Sequence, residues 1–294
     1  MHFQKLDLGH IETLRPHFTT NQCRICDCTI GGTFIWRDFF NTEYALDDGY
    51  LYLKVVYLTG DTAFTPPRGA ECGDKAVYDK LVDYCSTTGC TPRLCAVSEP
   101  RLEKVLSLYP GAKVTTDRAW SDYLYAADDL KSLAGRKYSG QRNHMNNFLK
   151  TYPDWRFEAV DDANLAEVRT FLGAYAGAPE SSYPALDECN RKSLEVLDHL
   201  EQYRLLGGVV KADGAIVGAA LGEIVGDTLF VHIEKAKADC KGAYQMLVNQ
   251  YAKAFAQDVG FINREEDDGV EGLRTSKLSY HPVKLLDKYV VELA

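Results

Sequence analysis

Residues 227–262 read DTLFVHIEKAKADCKGAYQMLVNQYAKAFAQDVGFI. Asp227 to Ile233 is aromatic and β-branched, as a strand requires. From Gly242 to Gln257, Tyr244, Leu247, Val248, Tyr251 and Phe255 recur at helical spacing, so this stretch is expected to form a helix with those residues inward. Val259 to Ile262 is a second short apolar run and reads as a strand. Strand, helix and strand in this order place two parallel strands side by side, with the helix crossing between them.

The neighbouring segments extend the pattern in both directions. Trp155–Val160 is a strand, and Asp162–Tyr175 and Asp187–Gln202 are helices. Leu165, Val168, Phe171, Leu172 and Tyr175 form the stripe of the first helix, and Leu194, Leu197 and Leu200 that of the second. Arg204–Lys211 and Ala215–Ile224 are strands joined by Ala-Asp-Gly, a hairpin signal. Beyond the quoted stretch come a helix, Val270–Leu278, and a last strand, Tyr289–Leu293. The order β-α-α-β-β-β-α-β-α-β is that of the Gcn5-related N-acetyltransferase fold.

The first half repeats the order more loosely. It has strands at His2–Leu8, Tyr50–Leu58, Pro92–Val97 and within Lys113–Ala126. Helices are expected at His10–Phe18, in part of Thr29–Asn41, at Asp74–Ser86 and at Pro100–Leu108, and Asp61–Asp74 reads as a Pro/Gly loop. The expected fold is therefore α/β: two tandem Gcn5-related N-acetyltransferase-like domains, mixed sheets flanked by helices. The domains are 1–152 and 153–294, divided at Tyr152-Pro153-Asp154, where a proline ends a helix.

Bulk composition sets the bounds. A chain of 294 residues is longer than one typical domain. With 33 basic and 42 acidic side chains the net charge is −9, which excludes a general binder of nucleic acid or anionic membrane by bulk electrostatics. No apolar run reaches the ~18–20 residues of a membrane helix; the longest, Ala215–Val225, holds Glu223 and two glycines. The start lacks a basic region followed by an apolar one, so no leader is expected and the protein is read as cytoplasmic. Nine cysteines include one dense cluster, Cys23-Arg-Ile-Cys26-Asp-Cys28. With Cys72, Cys85, Cys90 and Cys95 they match no zinc spacing. Free thiols are expected, no metal is assigned, and a redox role for Cys23 and Cys26 is the alternative.

Four groups of residues are candidates for chemistry. His232 and Glu234, at the end of the third strand, share a face by alternation and could take a proton from an attacking amine; a structural His–Glu bond or a pair with Lys235 is the alternative. Gly242 and Ala243 open the helix, whose free N–H groups suit phosphate, although a glycine there also serves simply to start the helix. Asn263, Arg264, Glu265, Glu266 and Asp267 leave the end of the neighbouring strand, where ligands bind in open α/β sheets. Their carboxylates suit an ammonium group or, alternatively, pair with Arg264, Arg274 and Lys277. In the same string, Arg274 and Lys277 are three apart on one helix face and could hold phosphate together, or form a solvated basic face.

A fourth group lies in residues 131–150, KSLAGRKYSGQRNHMNNFLK, which hold five Lys/Arg and no acid. Arg136, Lys137, Arg142, Asn143 and His144 suit a polyphosphate or an RNA backbone; a solvated basic helix is the alternative. In this fold a Tyr after the last helix, here Tyr280, can protonate a departing thiolate or ribose oxygen; an ordinary core tyrosine is the alternative.

Several strings point further: TFIWRD (33–38), GRKYSGQRNHMNNFLKTYP (135–153), HIEKA (232–236), KGAYQ (241–245) and NREEDDGVEGLRTSKLSYHP (263–282). They resemble the soluble stand-alone relatives of the C-terminal domain of phosphatidylglycerol lysyltransferases. The resemblance spans most of the chain and is densest in its second half. Membrane-bound relatives move an aminoacyl group from a tRNA to a lipid headgroup and carry a transmembrane region; this chain has none. The resemblance implies an acyl- or aminoacyltransferase with an aminoacyl-tRNA-like donor and an amine or hydroxyl acceptor. The basic segment 131–150 would face the tRNA. An acetyl-CoA-dependent N-acetyltransferase on a small amine, with acyl-CoA as donor, is a second reading. A non-catalytic protein that binds an amino acid or another small molecule is a third. The acetyl-CoA loop of the fold, Gln/Arg-x-x-Gly-x-Gly/Ala, is met only loosely by Lys237-Ala-Asp-Cys240-Lys241-Gly242.

Overall fold

A computed structural model of the chain describes residues 1–18, 23–69, 74–178 and 181–293. The elements in chain order are β1 (Gln4–Lys5), α1 (Ile11–Leu14), α2 (Ile30–Ile35), β2 (Glu43–Asp47), β3 (Tyr50–Val56), β4 (Thr62–Phe64), α3 (Lys75–Thr88), β5 (Arg93–Val97), α4 (Glu99–Leu108), β6 (Lys113–Thr116), β7 (Asp122–Ala126), α5 (Ala127–Ser132) and α6 (Ser139–Thr151). They continue with β8 (Arg156–Ala159), α7 (Leu165–Ala176), α8 (Pro184–Asp198), α9 (Leu200–Tyr203), β9 (Leu206–Ala212), β10 (Ala215–Val225), β11 (Thr228–Ala236), α10 (Ala243–Phe255), β12 (Phe261–Asn263), α11 (Glu271–Leu278), β13 (Lys284–Leu286) and β14 (Tyr289–Glu292). Two mixed sheets flanked by helices result, as the fold class requires. Among the described residues, no helix is long and apolar enough to cross a membrane.

The chain forms two compact units, Met1–Asp122 with Leu286–Ala294, and Tyr123–Leu285. The division thus falls thirty residues before the Pro153 break expected from the sequence. The cause is strand pairing. β7 pairs with β12 in the sheet of the second unit. The final strand, β14, lies between β5 and β6 in the sheet of the first.

In the first unit the strand order is β1-β2-β3-β4-β5-β14-β6, with β4 and β5 parallel. β4 lies inside the expected Pro/Gly loop, whose residues 70–73, Cys72 among them, are outside the described residues. β2 and β3 join through Asp48 and Gly49, both left-handed (φ 49° and 79°), the backbone of a two-residue hairpin turn. Asp74 caps α3, its carboxylate accepting from Ala76 N, and Gly89 ends the helix at φ 77°. Cys23 and Cys28 are disulfide-linked, with Cα atoms 6.2 Å apart, so two of the expected free thiols are not free. The tight turn Cys26–Cys28, closed by Cys28 N donating to Ile25 O, brings this short segment back on itself.

In the second unit the order is β13-β7-β12-β11-β10-β9-β8. β9 and β10 turn through Asp213 and Gly214 at φ 49° and 74°. α10 packs Leu247, Val248 and Tyr251 into a core with Leu229 and Val231 of β11 and Val210 of β9. β11 runs to Ala236, so His232-Ile233-Glu234 stands within the strand and not at its end. Leu221 opposes Ile233 and Gly222 opposes Val231, which leaves His232 as the extra residue of a bulge. A Cβ on Gly222 would lie 2.1 Å from the carbonyl oxygen of Phe230.

Backbone, not a flexible side chain, meets that position. Gly222→Ala is therefore expected to destabilise the second unit by about 1–3 kcal/mol or more, the cost of overpacking. A urea titration followed by circular dichroism would measure it.

Candidate functional site

β11 and β12 run parallel only from Thr228–Phe230 against Phe261–Asn263. Beyond Asn263 the backbone stays with β7: Arg264 N donates to Tyr123 O, and Tyr123 N to Glu265 O, both at 3.1 Å. β11 meanwhile stays with β10. The two parallel strands therefore part at Phe230 and Asn263. The residues that follow bridge the opening.

The bulge sorts those residues. Glu234 joins Tyr244 of α10 (3.1 Å), on the side of Leu229 and Val231. His232 stays with Phe230, whose ring stacks on it at 6.5 Å, and with Glu223. The expected shared face of His232 and Glu234 is lost, because one extra residue inverts the alternation.

His232 is fully buried between two carboxylates. Its Nδ1 lies 2.7 Å from Glu265 Oε1 and its Nε2 3.0 Å from Glu223 Oε1. Burial alone would lower its pKa, but the two hydrogen bonds and the charges behind them raise it from 6.5 to about 10. A carboxylate at each ring nitrogen favours the protonated ring, which can then donate to both. His232 fixes Glu265 and does not act as a free base. Glu265 itself is held at φ 55° by the loop, with its N–H donating to Asn263 Oδ1 at 2.6 Å; burial raises its pKa.

Arg264 crosses the opening on the other side. Its Nε and Nη2 donate to Glu234 Oε2 at 3.2 and 2.6 Å. Its guanidinium carbon lies 5.7, 5.9 and 4.8 Å from the ring centres of Tyr125, Tyr244 and Tyr280, a cage of three tyrosines.

The remaining acids and bases of the loop are used inside it. Asp267 is wholly buried and accepts from Tyr123 Oη (2.6 Å), Gly269 N (2.9 Å) and both Nε and Nη2 of Arg274 (3.0 and 2.9 Å). Burial would raise its pKa, but these donors lower it to about 2. Lys277 donates to the carbonyls of Arg264 (2.6 Å) and Glu266, and burial, then the Arg264 charge, lowers its pKa. Arg274 and Lys277 are thus engaged separately and do not form the expected joint phosphate clamp. Glu265 and Asp267 are paired within the protein and do not wall an open ammonium pocket.

Gly242 has φ +90°, and a Cβ there would lie 2.5 Å from the carbonyl oxygen of His144 on α6. Close backbone approach explains this glycine without a phosphate, and Ala243 behind it is buried. Lys235 is buried too, its ammonium 6.0 Å from the Tyr175 ring. In the basic segment, Arg142 Nη1 donates to the carbonyls of Leu133 and Gly135, and Lys137 pairs with Asp129 at 2.9 Å. Arg136, Asn143 and His144 are exposed, so the segment keeps a polar outer face. The sequence reading missed Glu223, Tyr125 and Tyr244. Glu223 carried one signal: a lone acid inside an otherwise apolar strand.

The sequence matches the family described as phosphatidylglycerol lysyltransferase, C-terminal, over residues 22–292. The chain belongs to that family. A conserved protein of unknown function from Bacteroides thetaiotaomicron VPI-5482 is 30% identical, with a TM-score of 0.90 and 99% of each chain covered. The C-terminal domain of a putative lysylphosphatidylglycerol synthetase from Agrobacterium fabrum shares the fold at 12% identity and a TM-score of 0.69, covering 97% of this chain and 92% of that one. An uncharacterized protein of Mycoplasmoides gallisepticum is 22% identical over 187 residues, 59% of this chain; the match spans 56% of that relative's length. Membership of the phosphatidylglycerol lysyltransferase C-terminal family supports an aminoacyl- or acyltransferase kind of function.

Two predictions follow from the bridged opening. Because the folded pKa of His232 is raised, its stabilisation is full below about pH 6.5 and is lost as pH rises towards about 10. Urea midpoints should fall across that window, and His232→Gln should flatten the fall. Arg264→Met leaves Glu234 buried without its partner and is expected to cost about 3–5 kcal/mol. Adding Glu234→Leu should recover much of that cost in the same titration, as a double-mutant cycle reads coupling.

Proposed function

We propose that the second unit transfers an activated acyl group, most simply an aminoacyl group from an aminoacyl-tRNA-like ester, to an amine or hydroxyl acceptor. One observation carries this reading beyond family membership. Where β11 and β12 part, the interior is filled by His232, Glu265, Glu223, Glu234, Arg264, Tyr244 and Tyr280 instead of apolar side chains. Replacing such a network by well-packed apolar groups is often neutral or stabilising, so stability alone does not favour it. A buried cluster in which the pKa values of His232 and Glu265 are raised is the kind of place where functional sites are found.

The chemistry asks little of an external cofactor, because an ester or thioester donor is already activated. Positioning and stabilisation of the oxyanion would supply most of the rate. His232 acts in this scheme as a positioning residue for Glu265. The exposed Arg136, Asn143 and His144 suit contact with the phosphates of a tRNA. The acetyl-CoA reading is weaker, since Gly242 is accounted for by its φ and by the nearness of α6.

The test is transfer of radiolabel. Labelled lysyl- and alanyl-tRNA, and separately labelled acetyl-CoA, would be incubated with the protein and an amine, or with phosphatidylglycerol vesicles as hydroxyl acceptor. Label should leave the tRNA and appear in the acceptor, and Arg136→Ala with His144→Ala should raise KM for tRNA several-fold. Label that moves from none of these donors would end the proposal.

A further inference from the structure

Among the described residues, four buried side-chain polar atoms have no hydrogen-bond partner: Thr65 Oγ1, Asn190 Oδ1, Arg264 Nη1 and Tyr280 Oη. The last two share the tyrosine cage, with the guanidinium 4.8 Å from the Tyr280 ring centre. Arg264 is 3% exposed and Tyr280 1%. Native interiors rarely leave such groups unpaired, and each specific case asks for a reason.

The surroundings show that the pair is built and held. Glu234 occupies Nε and Nη2 of Arg264, which fixes the plane of the guanidinium and leaves Nη1 over. Of the three cage tyrosines, Tyr125 donates to Lys277 O at 2.8 Å and Tyr244 to Glu234 at 3.1 Å. Only Tyr280 keeps its hydroxyl uncommitted. The Tyr280 backbone is anchored at both ends: its N–H donates to Lys277 O at 3.2 Å, and its carbonyl accepts from Tyr138 Oη at 3.0 Å.

We propose that Arg264 Nη1 and the Tyr280 hydroxyl together receive one substrate oxygen, the carbonyl oxygen of the acyl group being transferred. This rests on the acyl-transfer reading above and assigns two catalytic residues within it. Two donors call for an oxygen that only accepts. Glu234 already balances the charge of Arg264, so the cage favours a neutral carbonyl at rest over a phosphate. Negative charge develops on that oxygen only when the nucleophile adds, and an interaction that strengthens at that moment lowers the barrier. Burial raises the pKa of Tyr280, so its hydroxyl donates a hydrogen bond and retains the proton.

In the step itself, the lone pair of the amine or hydroxyl adds to the acyl carbon. The carbonyl π electrons move onto the held oxygen. As they return, the bond to the ribose oxygen breaks and the amide or ester bond remains. The proton lost by the nucleophile ends on the departing oxygen, so the sum is balanced without oxidant or cofactor.

Tyr280→Phe tests this, because it removes one hydroxyl and changes no other contact. The variant should melt at or above the wild-type temperature, since the lost group had no partner. Its kcat should fall ~10²–10³-fold with KM little changed, the usual effect of deleting one oxyanion donor. A second readout needs no turnover: the side-chain ¹⁵Nη signals of Arg264 in arginine-labelled protein, titrated with an aminoacyl-adenosine amide. Those signals should shift in the wild type and shift much less in Tyr280→Phe.

Wild-type transfer with unchanged kcat in Tyr280→Phe would overturn the assignment. So would a Tyr280→Phe protein that melts well below wild type, or an ordered water alone between Nη1 and the hydroxyl in a crystal soaked with the amide. If the wild type transfers nothing but the Arg264 signals shift with the amide, the acyl-transfer reading fails while the donor pair stands as an oxygen-binding site.

Discussion

Arg264 lies where two parallel strands stop sharing hydrogen bonds, and its side chain takes over the link between them. The strand pair ends at Phe230 and Asn263. One residue further on, the guanidinium reaches back to Glu234 on β11. A buried guanidinium without a carboxylate would be strongly unfavourable, so Glu234, Tyr244 and the other cage tyrosines form one unit with it. The bulge at His232 serves the same arrangement. If the same residues alternated without a bulge, Glu234 would lie on the His232 side of the strand, away from Arg264 and Tyr244. The bulge in turn depends on Gly222, because no Cβ fits against the Phe230 carbonyl.

Much of the fold was legible because its signals are local. The stripe of α10, the Ala-Asp-Gly hairpin and the order of elements in the second half all follow from spacing a reader can count. The missed β2–β3 hairpin had an equally local signal, Asp48-Gly49 between two strand-like runs, which went unread. The return of β14 to the first sheet has no local signal. Arg93 pairs with Glu292 across almost the whole chain, and nothing in either neighbourhood names the other. The unit boundary was misplaced for that reason: a proline marks where a helix ends, but β7 and β14 choose their sheets by pairing.

The sequence picks out residues that the structure brings together, but not how they pair. His232, Glu234, Arg264, Glu265, Asp267, Lys277 and Tyr280 were all singled out, and the structure draws them into a single loop-and-strand network. Residue type tells that Glu265 and Asp267 carry charge; it does not tell whether that charge faces substrate or Arg274. Glu265, Glu266 and Asp267 therefore read as a pocket wall, while two of them hold His232 and the turn before α11. Tyr125 and Tyr244 could not be separated from ordinary core tyrosines, because only the position of Arg264 makes them a cage.

The first unit solves a similar problem in a different way. Lys288, just before β14, is buried and places its ammonium 2.8 Å from both Asp27 and Asp122 and 3.2 Å from the Cys26 thiol. Asp122 also accepts from Cys26 N at 2.6 Å, so the disulfide-closed turn and the final strand are fastened through the same carboxylate. A strand that arrives last in the chain competes with solvent for a place in a finished sheet. A buried ammonium between two carboxylates favours that place, since another register would break both ion pairs. Asp27, Asp122 and Cys26, all of the first unit, contact the Lys288 ammonium. In the second unit the corresponding bridge is incomplete: Arg264 spends two of its three nitrogens on Glu234 and keeps the third unpaired. A buried nitrogen left unpaired on a guanidinium whose other two are engaged is the observation on which the proposed substrate oxygen rests.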